Sequence, residues 1–180
     1  MLDRENFDTF SMEYYSGSHI DRLTGRSSRE AMEIALKSCH EFVDTFGEEF
    51  RNLLLYGDTG VGKTFLSHCI AKELLEHSFS VIYFTAAQLF DIFARSTFRR
   101  EEEARADCEH IYSCDLLIVD DLGTEMSNSF TNSQLFICLN ERILRKKPTL
   151  ISTNLSLEDL KNIYSERIFP GSPAPTLCCA

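Results

Sequence analysis

Four short apolar runs alternate with longer segments whose apolar residues recur every three or four positions. The runs are "RNLLLYG", "SVIYFTA", "DLLIVDDLG" and "TLISTNL", and each predicts a buried strand. The intervening segments predict helices. "SSREAMEIALKSCHEFVDTFG" keeps Met32, Ala35, Cys39, Val43 and Phe46 at helical spacing, with Ser27 and Glu30 in the pattern of a capping box and Gly47 as the stop. "KTFLSHCIAKELLEHS" places Leu66, Ile70 and Leu74 on one face. "AQLFDIFARSTF" and "REEEARADCEHIYSC" are helical, the second with Glu101 and Arg105 spaced for an ion pair. "NSQLFICLNERILRKK" gathers cations in its last turn, and "SLEDLKNIYSERI" opens on Ser156 and Asp159 as a capping pair. Apolar strands alternating with amphipathic helices make an α/β fold with a parallel sheet covered on both faces. Ligands of such sheets gather at the carboxyl ends of the strands.

Composition narrows this picture. A chain of 180 residues is one domain by size. It divides into an aromatic-rich lead-in segment (1–26), a core (27–169) and a tail (170–180) expected to be disordered. A formal net charge of −10 excludes a uniformly cationic nucleic-acid coat but leaves room for a local basic patch. The seven cysteines form no CxxC pair, which favours buried reduced thiols in a cytoplasmic protein over a metal site. The first residues lack a signal-peptide apolar core, and no apolar run approaches the roughly 18 residues of a membrane span.

The candidate chemistry lies at the ends of the predicted strands. "GDTGVGKT", Gly57 to Thr64, fits the phosphate-loop pattern between a strand and a helix. Gly57, Gly60 and Gly62 permit backbone conformations that aim N–H groups at an anion. The following helix points its positive end at the same place. Lys63 would reach the β- and γ-phosphates of ATP, and the Thr64 hydroxyl would bind Mg²⁺. Asp58, Thr59, Val61 and Phe65 complete the expected nucleotide-binding stretch. Asp120 and Asp121 end a buried strand, where adjacent acids are costly without a counter-charge. Asp120 is the candidate metal partner, and Asp121 the candidate to orient or deprotonate the attacking water. Asn154 ends the next strand and is placed to hold a water or a phosphate oxygen.

In this order the three elements resemble the AAA+ ATPases, P-loop NTPases with a three-layer sandwich. "NLLLYGDTGVGKTFLSHCIAKELL", "LLIVDDLGTE", "PTLISTNLSLEDL", "YSERI" and the lead-in "ENFDTFSMEYYS" are similar to bacterial replicative helicase loaders of the DnaC/DnaI type. The resemblance runs from about Glu5 to Phe169. It implies ATP and Mg²⁺ binding, slow hydrolysis in a homo-oligomer, contact with single-stranded DNA and delivery of a replicative helicase. On this resemblance Lys63 and Thr64 belong to Walker A, Asp120 and Asp121 to Walker B, and Asn154 to sensor 1. The IstB-type transposition helper ATPases share the core but typically carry Asp-Glu in the acidic strand. Asp121 favours the loader side.

Some features depart from the pattern or carry less. Arg95, Arg99 and Arg100 are candidates for DNA contact, or a solvated helix end beside Glu101 to Glu103. Phe7, Phe10, Tyr14 and Tyr15 could wall an adenine pocket or simply pack. The five histidines show no ligand spacing. The helicase-gripping N-terminal domain of loaders has no counterpart in this sequence. After Arg167 the pattern calls for Ser-Arg-Leu and a last strand, but Pro170 and Gly171 stand there instead. A one-nucleotide frameshift near Phe169 could produce this ending, an idea that fails if the codons cannot yield Ser-Arg in another frame. The expectation is therefore a sheet missing its last strand, an uncovered apolar edge along "NLLLY", and a chain that binds nucleotide with impaired turnover. A hydrolysis-deficient fragment is thus an alternative reading.

Overall fold

Strand β1 (Leu53–Gly57) lies inside a parallel sheet of order β2-β3-β4-β1-β5. In this computed structural model residues 2, 4–18, 20, 25–124 and 128–164 are described, together with the backbone of 176–179. The other strands are β2 (Val81–Thr85), β3 (Leu116–Leu122), β4 (Thr149–Thr153) and β5 (Thr176–Cys179). Side chains alternate along each strand and feed two cores. Leu53, Leu55, Leu116, Ile118 and Leu150 face helices α1 (Ser28–Asp44) and α2 (Lys63–Glu76). Leu54, Leu117, Val119 and Ile151 face α3 (Ala86–Ala94), α4 (Glu102–Ser113), α5 (Ser129–Leu144) and α6 (Leu157–Tyr164). The result is the three-layer sandwich expected from the alternation of strands and helices.

Local signals account for several boundaries. Ser27 caps α1 and its capping box with Glu30 is formed in both directions. Ser156 Oγ accepts the Asp159 amide at 3.1 Å at the start of α6. Helix α5 starts earlier than the apolar pattern suggests, because Asn128 caps it through the Phe130 and Thr131 amides. A π-helical turn, Arg95–Arg99, follows α3.

Three expectations are corrected. The sheet does not lack its last strand: β5 pairs in parallel with β1, Leu54 to Gly57 against Thr176 to Cys179. Nor is the whole tail without structure. Between Leu54 and Gly57 β1 offers backbone N–H and C=O groups on its outer side. A partner of four residues satisfies them whatever its hydrophobic pattern. The Glu101 side chain also does not pair with Arg105. It turns back to Arg95 (3.5 Å) and Arg99 (3.7 Å), because Glu101 is the N-cap of α4 and its side chain points off the helix face.

Candidate functional site

The loop between β1 and α2 is shaped by its glycines. Gly57, Gly60 and Gly62 have φ of 147°, 86° and 102°, values that L side chains rarely adopt. Gly62 is the N-cap of α2 and offers no side chain to its first-turn amides, which leaves the positive helix end facing the loop. Lys63, 5% exposed, bends its ammonium back across this loop. Its Nζ donates to Gly57 O (2.9 Å), Asp58 O (2.7 Å) and Asn154 Oδ1 (2.6 Å). The ammonium's three donors are thus matched by three oxygens, one of them from the tip of β4.

Beside it lies Asp120, 3% exposed at the end of β3. Its Oδ2 accepts from Thr64 Oγ1 at 3.0 Å and from the Tyr83 phenol. Its Oδ1 accepts from the Ser152 hydroxyl. The next residue sits on a bulge. Pairing of β3 with β4 steps from Val119↔Ile151 to Leu122↔Thr153, leaving one extra residue on β3. Asp121 takes it up with φ of 56°, and its amide donates to Ser152 Oγ at 3.0 Å. Bulges commonly re-aim side chains at sites of chemistry, and aspartate tolerates the left-handed region better than most residues. The two acids are therefore not equivalent: Asp120 is buried and clamped, Asp121 half-buried at a turn in the strand.

The donor set suits Mg²⁺. A hydroxyl and a carboxylate oxygen meet at Thr64 and Asp120. No group of three or more His, Cys, Asp and Glu residues that could hold a metal ion occurs among the described residues. Mg²⁺ typically takes one or two protein oxygens and completes its octahedron with phosphate and water.

The lead-in closes one side of the loop. Tyr15 OH donates to Val61 O at 3.0 Å. It lies 2.6 Å from where a Cβ on Gly62 would sit. Phe10 stacks on Tyr15 (5.7 Å) and meets Phe65 edge-on (5.6 Å), while Phe7 stacks on His40. Glu5 pairs with the buried His68 of α2. Phe7, Phe10 and Tyr15 therefore pack on the α1–α2 side, and Tyr14 stays 87% exposed.

Residues 26–170 match the family described as IstB-like ATP binding protein. The chain belongs to this family. The IstB-like chain is 26% identical over 178 residues to the replicative helicase loader DnaC of Escherichia coli K12, covering 93% of its own length and 71% of that relative. It is 29% identical over 165 residues to the chromosomal replication initiator DnaA of Zymomonas mobilis, covering 91% of itself and 30% of DnaA. Among solved structures, the DnaC helicase loader superposes with a TM-score of 0.74 at 23% identity, covering 98% of this chain and 97% of that one. AMPPCP-bound DnaA from Aquifex aeolicus superposes with a TM-score of 0.73 at 18% identity, covering 97% and 50%. The IstB-like chain is a DnaC/DnaA-like AAA+ ATP-binding domain, and its sheet and helices form the P-loop fold.

The structure brings Lys63, Thr64, Asp120, Asp121 and Asn154 to one end of the sheet. Asp58 and Thr59 form the exposed crest of the loop, and Phe65 faces Phe10. Arg95 and Arg99 are tied to acids, Arg95 to Asp91 and Glu101 and Arg99 to Glu101. Arg167 and Gly171 lie outside the described residues. Sequence reasoning passed over Tyr83, Ser152 and His68. Each belongs to an ordinary strand or helix pattern, and each partner lies at least 32 positions away. Arg142, in the last turn of α5, is fully buried and donates to Thr149 Oγ1 (2.9 Å), Ile111 O (2.5 Å), Cys114 O (3.1 Å) and Pro148 O (2.5 Å). Burial pulls its pKa down, while hydrogen bonding keeps the guanidinium satisfied.

Proposed function

We propose that this chain is the AAA+ core of a DNA-replication helicase loader. It binds ATP with Mg²⁺, hydrolyses ATP within an oligomer, contacts single-stranded DNA and acts on a replicative helicase. The observation that carries this reading is the Lys63 ammonium set between two loop carbonyls and Asn154, with the Thr64–Asp120 pair beside it. Lys63 would hold the β- and γ-phosphates, with the loop residues 57–62 and Phe65 around them. Thr64 and Asp120 would hold Mg²⁺, which when bound neutralises charge on the phosphate oxygens. Asp121 would orient or deprotonate the attacking water, and Asn154 would hold that water or a γ-phosphate oxygen.

The replication role draws on the names of the relatives, a helicase loader and an initiator. A DnaA structure of the same fold carries AMPPCP and single-stranded DNA. The test is titration with a fluorescent ATP analogue, followed by turnover with and without single-stranded DNA. Lys63→Ala should abolish binding, and retained parental affinity would show the site misassigned. Binding with no turnover at high protein concentration would favour a nucleotide-holding module instead. A transposition helper is the second reading, favoured by the description of the matched family. Retention by an immobilised transposase but not by a ring helicase would select it.

A further inference from the structure

We propose that Tyr83 is a positioning residue for the metal-holding carboxylate, its phenol fixing the orientation in which Asp120 and Thr64 together face Mg²⁺. The inference rests on the nucleotide-site reading above and adds to it a residue from a strand that carries none of the recognised motifs.

The geometry starts in the sheet. β2 pairs with β3 so that Thr85 lies beside Asp120 and Tyr83 beside Ile118. Tyr83 and Thr85 are two apart and share a face, so Tyr83 stands one pleat below Asp120 on its own side. A phenol is long enough to reach up one pleat, and its hydroxyl meets Asp120 Oδ2. The same oxygen accepts from Thr64, and the other accepts from Ser152. Two donors on one oxygen and one on the other fix the carboxylate plane, which a single Thr64 bond could not do.

The phenol is itself held. The His68 ring lies against it with centroids 5.1 Å apart, and Glu5 of the lead-in pairs with His68 from behind. Burial above all, then the hydrogen bond to Asp120 and the negative charges of Asp120, Asp121 and Glu5, raise the Tyr83 pKa. A phenylalanine would fill this apolar face as well, so the hydroxyl is explained by its acceptor and not by packing. Partners one step removed from a metal commonly govern its affinity through ligand orientation.

Tyr83→Phe keeps the ring and deletes the donor. The experiment is titration of parent and variant with a fluorescent ATP analogue, without Mg²⁺ and across a Mg²⁺ series, with urea unfolding alongside. The expected result is Mg²⁺-free affinity within about twofold of the parent and a Mg²⁺ half-saturation raised by about tenfold or more. In an Asp120→Asn background the same change should add nothing, because the carboxylate it orients is gone. Three results would overturn the proposal: an unchanged Mg²⁺ response, an additive loss in the Asp120→Asn background, or a variant that no longer folds. A parent whose nucleotide affinity ignores Mg²⁺ altogether would instead sink the reading of the site on which the proposal stands.

Discussion

Lys63 and Asn154 stand 91 positions apart in the chain and meet through a hydrogen bond of 2.6 Å between Nζ and Oδ1. The first residue of α2 and the tip of β4 are thereby joined across the loop mouth, and the contact ties two sequence motifs into one site.

Removing one side of this contact has a defined cost. Asn154→Ala deprives a nearly buried ammonium of one of its three acceptors. Hydrogen bonds to charged groups contribute about 1.5–3 kcal/mol, so unfolding in urea should show a loss of that order. Nucleotide binding should survive, since Lys63 remains, while turnover falls. A variant with parental stability would show that the contact contributes nothing to the fold.

Gly62 is constrained twice, by φ of 102° and by the Tyr15 hydroxyl 2.6 Å from a would-be Cβ. Gly62→Ala is expected to destabilise by about 1–3 kcal/mol. Combining it with Tyr15→Phe should recover only the steric part, because the backbone strain stays. A double-mutant cycle measures the split, and full recovery would mean that the backbone is not strained.

The bulge makes a prediction about Asp121. Its φ of 56° suits glycine, asparagine and aspartate and burdens longer or branched side chains. Asp121→Asn should retain stability within about 0.5 kcal/mol and lose turnover, whereas Asp121→Val should cost about 1 kcal/mol or more in chemical unfolding. Equal stability of the two variants would argue against the left-handed conformation.

Acid should weaken the fold through Asp115. Burial tends to raise its pKa, but hydrogen bonds from Lys147 (2.8 Å), Ser80 Oγ (2.7 Å) and the Ser80 amide (2.8 Å) outweigh that and bring it from 3.8 to about 2. The folded state thus holds its proton less tightly than the unfolded one. The resulting stability is present above pH 3.8 and lost as pH falls towards about 2. Asp115→Asn should flatten this part of the pH–stability curve and cost about 1 kcal/mol at pH 7. An unchanged acid limb would remove Asp115 as its source.

The phosphate loop, its flanking strand and helix, and the Ser27–Glu30 box were legible because each is a local pattern whose partners lie within a few residues. The order of the acidic strand and Asn154 could be read for the same reason. Tyr83–Asp120 and Glu5–His68 were not, since nothing in a strand or helix pattern tells which distant side chain will stand one pleat away. The bulge at Asp121 also escaped, because it is a mismatch between two strands and not a property of either. The tail departs from the family's ending at Pro170 and Gly171, which hides its four-residue pairing, yet an edge asks only for backbone groups in register.

That short pairing moves the sheet's border. With β4 on one side and β5 on the other, the strand carrying the phosphate loop is interior to the described sheet. Any neighbour seeking to extend the sheet from this side would have to add to Thr176–Cys179, one strand removed from Leu53–Gly57.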